Sequence, residues 1–218
     1  LERALRLRGR SLAEVAALTG LGGPGVVPTE MRRGKGFAGQ LLERALGATG
    51  ASRSVPDFER IGIEMKSIPM TRLGQPLEST YVCTVDLVVD PDLDWGSSRV
   101  RHKLARVLFI PVQAEATMPL AERRIGMPVI WSPSEAEERQ LRTDFDELME
   151  LVRLGHVDSI TAHLGVALQI RPKGDNRRSE AWGVDENGHR VRVLPRGFYL
   201  RPSFTAAVIR SQLGVRAG

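Results

Sequence analysis

In the segment Pro56-Asp57-Phe58-Glu59-Arg60-Ile61-Gly62-Ile63-Glu64-Met65-Lys66, two acids and an amine are spaced so that one strand can gather them. Ile61, Ile63 and Met65 alternate with Gly62, Glu64 and Lys66, the two-residue period of a β-strand. On such a strand Glu64 and Lys66 leave the same face, while Ile63 and Met65 point into the core. Asp57, seven residues upstream of Glu64, stands at the start of the strand and can fold back toward it. Two carboxylates converging at one sheet edge repel unless a cation shares the site. Few, hard, solvent-open oxygen ligands suit Mg²⁺, which keeps waters and completes its shell with substrate phosphate. The competing explanation is a solvated cross-strand Glu-x-Lys pair, a common surface pattern.

The elements around this segment follow from periodicity and capping signals. Ser11 and Glu14 form a capping box ahead of a helix whose face carries Leu12, Val15, Ala16 and Leu18. Gly20–Pro28, with four Gly and two Pro, is predicted as a loop. A second helix is predicted from about Lys35 to Leu46, striped by Phe37, Ala38, Leu41, Leu42 and Ala45, with Glu43 beside the stripe. Thr80–Val89, Lys103–Val112 and Met127–Trp131 are strand candidates rich in branched residues. Ser132, Pro133 and Glu135 predict the start of a helix with Leu141, Phe145, Leu148, Met149 and Val152 buried and an acidic outer face. Val166–Arg171 and Arg190–Leu194 follow as strands around a polar loop, and Phe204–Leu213 as a final helix. Helix, clustered strands, then helix indicates an α/β or α+β chain with a mixed sheet.

Composition bounds the class. A chain of 218 residues with 42% hydrophobic and 26% charged residues is globular and large enough to bury a core without a disulfide or metal staple. A lone Cys83 excludes an internal disulfide and fits a reducing cytoplasm. No run of about 18 apolar residues exists to span a membrane, and no signal peptide is expected from the Leu/Ala/Arg pattern of Leu1–Arg10. The net charge of +5 is unevenly spread: residues 1–56 carry +5, residues 171–218 carry +6, and residues 133–150 carry −5. Basic ends around an acidic middle suit a polyanion held by the ends. The four histidines, His102, His156, His163 and His189, have no metal-ligand spacing.

A Pro-Asp, a short spacer and Glu-x-Lys on an amphipathic strand is the signature of PD-(D/E)xK nucleases, and the chain resembles the MutH family of DNA mismatch-repair endonucleases within them. The resemblance runs through KGFAGQLLE at 35–43, the nuclease strand, LGQPLESTYVC at 73–83 and VRHKLARVLFIPV at 100–112. It continues in WSPSEAEERQLRTDFDELM at 131–149, LQIRPKG at 168–174 and LPRGFYL at 194–200. It implies a restriction-endonuclease-like α/β fold, a mixed β-sheet flanked by helices, in two lobes forming a DNA-binding cleft. The lobes are expected at about residues 1–112, catalytic, and 113–218, DNA-reading. By resemblance, Asp57 and Glu64 bind Mg²⁺, Glu43 helps hold the metal or its water, Lys66 orients or deprotonates the attacking water, and Lys103 is an additional active-site lysine. The implied chemistry is in-line attack of water on a phosphodiester, leaving a 5′-phosphate and a 3′-hydroxyl.

The same resemblance places DNA reading at GATC on Arg171, Lys173 and Tyr199, with Pro172 and Tyr199 crowding a methylated adenine, and phosphate contacts on Lys35 and Arg196. Arginine can grip guanine O6 and N7 in the major groove, where the adenine N6 amine is also displayed. It implies nicking of the unmethylated strand of hemimethylated or unmethylated double-stranded DNA, activation by the ATPase MutL after MutS finds a mismatch, cytoplasmic action on the bacterial nucleoid, and a monomer. Tyr81 stands where phenylalanine is expected, and residues 177–192 depart from the family in composition. A stand-alone GATC restriction endonuclease is the nearest alternative, separated by partner dependence. A DNA-binding module without activity is the other, separated by whether Glu64→Ala loses cleavage alone or binding as well.

Overall fold

A computed structural model describes residues 1–20, 27–28, 36–49, 55–115, 117–173 and 180–214. Lys35 and most of the predicted loop at 20–28 lie outside the described residues. In chain order the described elements are α1 (Glu2–Leu5), α2 (Leu12–Leu18), α3 (Phe37–Leu46), β1 (Glu64–Met70), β2 (Thr80–Thr84), α4 (Arg99–Leu104), β3 (Val107–Gln113) and β4 (Val129–Trp131). They continue with α5 (Glu135–Arg153), β5 (Leu168–Pro172), β6 (Ala181–Val184), β7 (Arg190–Val193), β8 (Arg196–Leu200) and α6 (Pro202–Gln212). The α/β class is as expected, but the strands form three small sheets, not one: β1-β3-β4, β2-β8-β5 and the pair β6-β7. The chain folds into two compact units, one of Leu1–Glu78, Arg106–Ser132 and Thr205–Gly218, the other of Ser79–Ala105 and Pro133–Phe204.

The first unit holds the mixed sheet. β1 runs parallel to β3 with Glu64 opposite Val107 and Lys66 opposite Phe109, and β4 closes the other edge of β3 antiparallel. One face of this sheet carries Met65, Leu108 and Ile110, which join Leu12, Val15, Leu41 and Leu42 in a single core. The other face carries Ile68, Val107, Phe109 and Trp131, all at most 2% exposed. A strand buried on both faces explains why VLFIPV reads as an unbroken apolar run. The Ser11–Glu14 capping box is present: the Glu14 N–H donates to Ser11 Oγ at 3.2 Å and the Ser11 N–H donates to Glu14 Oε2 at 2.6 Å. The Ser11 N–H, and after it the Ser11 hydroxyl, hold the Glu14 carboxyl below its ordinary value. Leu12, Val15 and Ala16 are buried as predicted, but Leu18 is exposed.

In the second unit β8 lies between β2 and β5, antiparallel to both. Phe198 and Ile170 put the inner face of this sheet into the core, and Phe145 of α5 meets Phe198 with ring centres 5.7 Å apart. The stripe Leu141, Phe145, Leu148, Met149 and Val152 is fully buried. Asp144 lies in the same helix and is only 1% exposed. Its carboxylate accepts the backbone N–H groups of Val166, Ala167 and Leu168 at 2.9, 2.6 and 2.7 Å, and the Gln140 amide at 2.9 Å. Arg201 takes the carbonyls of the same turn, donating to Ala162, Leu164 and Gly165. Gly165 has φ +78°, and a Cβ there would stand 1.9 Å from the Leu168 carbonyl oxygen, so only glycine fits. The turn feeding β5 is thereby pinned at both its donors and its acceptors.

Several element boundaries differ from expectation. The strand predicted from Lys103 begins at Val107, because Ser98 caps a helix over Arg99–Leu104, accepting the Arg101 N–H at 3.1 Å. Val100 and Leu104, four apart, bury the helical face, and Lys103 therefore stands on a helix. The α5 cap is Ser134 with Glu137, two residues beyond the predicted Ser132 and Glu135. β2 stops at Thr84, after a bulge between Tyr81 and Cys83. Ile61 is not on a strand but in a 3-10 turn over Glu59–Ile61, and is exposed. The polar stretch before Arg190 contains β6 and a tight turn in which Asp185 Oδ1 accepts the Asn187 and His189 N–H groups. LPRGFYL is a strand, β8, that periodicity alone left unassigned.

Replacing Asp144 with Ala strands the buried N–H groups of Ala167 and Leu168 and frees that of the exposed Val166, a loss of about 3 kcal/mol on the scale of hydrogen bonds to a charged acceptor. Urea unfolding of Asp144→Ala against the parent checks this; a change under about 0.5 kcal/mol, the scale of surface substitutions, would show that the turn does not need the carboxylate.

Candidate active site and base-reading face

The acids and the amine of the first unit are brought together by β1. Glu64 is 4% exposed and Lys66 half-buried. Lys66 Nζ donates to Glu64 Oε1 at 2.7 Å, with the two side chains 14% and 5% exposed. They share the face of the sheet that carries Ile68, Val107 and Phe109. The polar face is therefore buried, and the solvated-pair explanation fails. Withdrawing a carboxylate and an ammonium from water costs several kcal/mol per ion, which their attraction seldom exceeds.

Asp57 is 7% exposed. The chain folds back as expected: an antiparallel bridge joins Phe58 to Ile63, and Gly62 at φ 62° closes the turn. Asp57 Oδ2 then accepts the Met65 N–H at 2.8 Å, which sets its carboxylate against the backbone beside Glu64. Glu43 is half-buried in the second half of α3, which packs on β1. The end of that helix is tied to the Asp57 segment, since the Ala48 N–H donates to the Glu43 carbonyl at 2.8 Å and the Thr49 N–H to the Asp57 carbonyl at 2.9 Å. Lys103, 8% exposed, is in the second unit on α4.

The donor set fits a hard divalent cation. Its donors are carboxylate oxygens with no thiolate or imidazole among them, the oxygen-only chemistry Mg²⁺ prefers. Among the described residues, no three or more His, Cys, Asp and Glu side chains gather tightly enough to hold a metal ion alone. A cation here would complete its shell from water and substrate, as Mg²⁺ does.

The second unit carries the residues expected to read DNA, with Arg171 and Tyr199 on the outer face of β2-β8-β5 and Pro172, paired with Arg196, on the face of Ile170 and Phe198. Tyr199 of β8 lies opposite Tyr81 of β2 and opposite Gln169 of β5. The two tyrosine rings meet edge to face at 5.3 Å. Gly197 lies beneath both; a Cβ there would approach Tyr81 Cε2 and Tyr199 Cε2 to 3.0 Å. Lys173 Nζ sits 5.0 Å above the Tyr81 ring and donates to Thr84 Oγ1 at 2.7 Å. The same Thr84 oxygen bonds the Tyr81 hydroxyl at 3.0 Å. Arg171 Nη1 and Gln169 Nε2 both donate to Ser79 Oγ, at 2.9 and 2.7 Å. Arg171, Pro172 and Lys173 are exposed and Tyr199 is half-exposed. Arg196 is buried, with Nη2 donating to Asp158 at 3.2 Å and Nε without a partner. Ser79, Thr84 and Gln169 were not identifiable in advance, because nothing separates a hydroxyl that holds a cation from any other strand hydroxyl.

A buried Asp/Glu-x-Lys set on a mixed sheet, with an exposed Arg/Lys/Tyr face on a second sheet, defines a nuclease-type α/β protein. Known proteins agree. The family described as DNA mismatch repair enzyme MutH matches residues 46–144. The DNA mismatch repair protein MutH of Escherichia coli (strain K12 / DH10B) is 48% identical over 209 residues, covering 96% of this chain and 90% of the relative. The protein of that name from Escherichia coli (strain SE11) matches to the same extent. The chain belongs to the MutH family of DNA mismatch repair enzymes.

Asp57 has a structural duty apart from any metal. Asp57→Ala is expected to lose about 2 kcal/mol by stranding the Met65 N–H, with Asp57→Asn recovering most of it through its remaining carbonyl oxygen. Equal stability of the two variants in thermal and urea melts would contradict this.

Proposed function

We propose that this protein is a Mg²⁺-dependent endonuclease of mismatch repair that nicks the unmethylated strand at hemimethylated GATC sites and is activated by MutL. The observation that carries it is the buried Glu64–Lys66 pair, with Asp57 bound to the Met65 N–H beside it. In this proposal the first unit supplies Asp57, Glu64 and Glu43 to hold the cation, and Lys66 to the chemistry. The second supplies Lys103, the reading residues Arg171, Pro172, Lys173 and Tyr199, and the phosphate contact Arg196. Lys35 joins Arg196 as a phosphate contact.

When bound, Mg²⁺ supplies positive charge at the phosphate and lowers the pKa of water. Glu64 keeps Lys66 Nζ at a fixed position on the sheet, where it orients the attacking water and offsets charge developing on the phosphate. Water attacks phosphorus in line, the P–O3′ bond breaks, and the products are a 5′-phosphate and a 3′-hydroxyl. On the reading face, Arg171 and Lys173 address guanine acceptors in the major groove. Tyr199 and Pro172 leave no room for an adenine methyl group, so a methylated strand is refused. MutS acts through MutL without touching this chain. The protein works as a monomer in the cytoplasm. Among the described residues no helix is long and apolar enough to cross a membrane.

The test is nicking of supercoiled plasmid with one GATC site, unmethylated, hemimethylated or fully methylated, with MutL and ATP. The expected result is Mg²⁺-dependent nicking confined to unmethylated strands and abolished by EDTA. Lys66→Ala and Glu64→Ala should lower the rate by about a hundred- to a thousandfold while keeping DNA binding. No cleavage of any substrate, or loss of binding with cleavage in Glu64→Ala, would overturn the enzyme assignment. Cleavage indifferent to methylation would overturn the strand choice, and double-strand cleavage independent of MutL would indicate a restriction enzyme.

A further inference from the structure

The two cations of the reading face are not free to wander over it. Arg171 Nη1 is held by Ser79 Oγ at 2.9 Å, and Lys173 Nζ by Thr84 Oγ1 at 2.7 Å. Ser79 immediately precedes β2 and Thr84 is its last residue, on the far side of β8 from β5, so each cation reaches across the central strand. Gly197 of that strand stands opposite both Thr84 and Arg171, and the space its side chain would fill is taken by the rings of Tyr81 and Tyr199. Each hydroxyl is fixed in turn, Ser79 by the Gln169 amide at 2.7 Å and Thr84 by the Tyr81 hydroxyl at 3.0 Å. Gln169 is 3% exposed, so it is itself a rigid donor.

Both anchors are neutral. Among the described residues neither Arg171 nor Lys173 has a carboxylate partner. A carboxylate would fix the side chains more firmly, but would cancel the charge that guanine and phosphate are to meet, and DNA would have to displace it. A hydroxyl orders the side chain at small net energy and leaves its full charge on offer. Ordering long, rotamer-rich side chains before binding removes part of the entropy cost of association.

We infer that Ser79 and Thr84 are positioning residues for base discrimination, pre-orienting Arg171 and Lys173 through neutral hydrogen bonds, with the Tyr81 hydroxyl completing the Thr84 anchor. This rests on the assignment of Arg171 and Lys173 as the GATC-reading cations. It assigns the extra hydroxyl of Tyr81 a role that phenylalanine could not fill.

The test uses the full chain carrying Lys66→Ala, so that DNA is bound in Mg²⁺ without being cut. Fluorescence anisotropy gives Kd for a hemimethylated GATC duplex and for the same duplex with the G·C pair inverted. Ser79→Ala and Thr84→Val are each expected to narrow the ratio of the two Kd values by about five- to tenfold, with melting temperature unchanged. Thr84→Ser, which keeps the hydroxyl, should restore the parental ratio, and Tyr81→Phe should give a smaller loss than Thr84→Val. Arg171→Ala and Lys173→Ala separate the two levels of inference. If they leave the ratio untouched, the reading assignment falls and the positioning role with it. If they collapse it while Ser79→Ala and Thr84→Val do not, the positioning role alone is wrong. A Thr84→Ser variant as impaired as Thr84→Val would likewise overturn it, since packing and not the hydroxyl would then be responsible.

Discussion

A carboxylate and an ammonium kept out of water, side by side on a strand whose neighbours are Ile68, Val107 and Phe109, set the terms for the first unit. Such a pair does little for stability, and apolar residues of similar volume would hold the sheet at least as well. In the proposed role it provides a charge array that does not reorganise when a phosphate arrives. The surrounding structure supplies the fixity. β1 is paired residue by residue with β3, its apolar side is packed under α2 and α3, and its start is fastened by the carboxylate of Asp57. Asp57 thus serves the backbone as well as standing beside the pair.

The second unit meets a different requirement. In the proposed reading role the cations must be ordered yet still fully charged, and the hydroxyls of Ser79 and Thr84, at the two ends of β2, answer both needs. The geometry of that face depends on groups well behind it. Asp144 and Arg201 hold the turn at 162–168 from opposite sides, and this turn sets where β5 begins and hence where Arg171 and Lys173 emerge.

Much of the site was legible in the linear chain because strand periodicity speaks directly about faces: Glu64 and Lys66 on one side, Ile63 and Met65 on the other. The cap at Ser11 and the buried stripe of α5 were legible for the same reason, being local patterns with local causes. Burial of the Glu64–Lys66 face was not, because a polar alternation looks the same whether water or protein covers it. Lys103 was placed on a strand because VLFIPV continues it in hydrophobicity, whereas Ser98 decides the conformation by capping. Asp144 hid within an acidic helix, where one carboxylate among several turns inward. The hydroxyl anchors depend on pairings between segments some 90 residues apart, Ser79 with Arg171 and Thr84 with Lys173, and no local pattern announces those.

The first unit is assembled from three separate stretches of chain, the last being Thr205–Gly218, and the second from two, ending at Phe204. Thr205, Val208 and Ile209 are buried at 2% or less. On the ribosome, therefore, neither unit can be finished until the last of its stretches has emerged, and the strand bearing Glu64 waits for β3 more than 40 residues later in the chain. Domains that close early can fold as they emerge; in this chain each unit waits on a stretch that lies beyond part of the other. No single cut would release either unit whole.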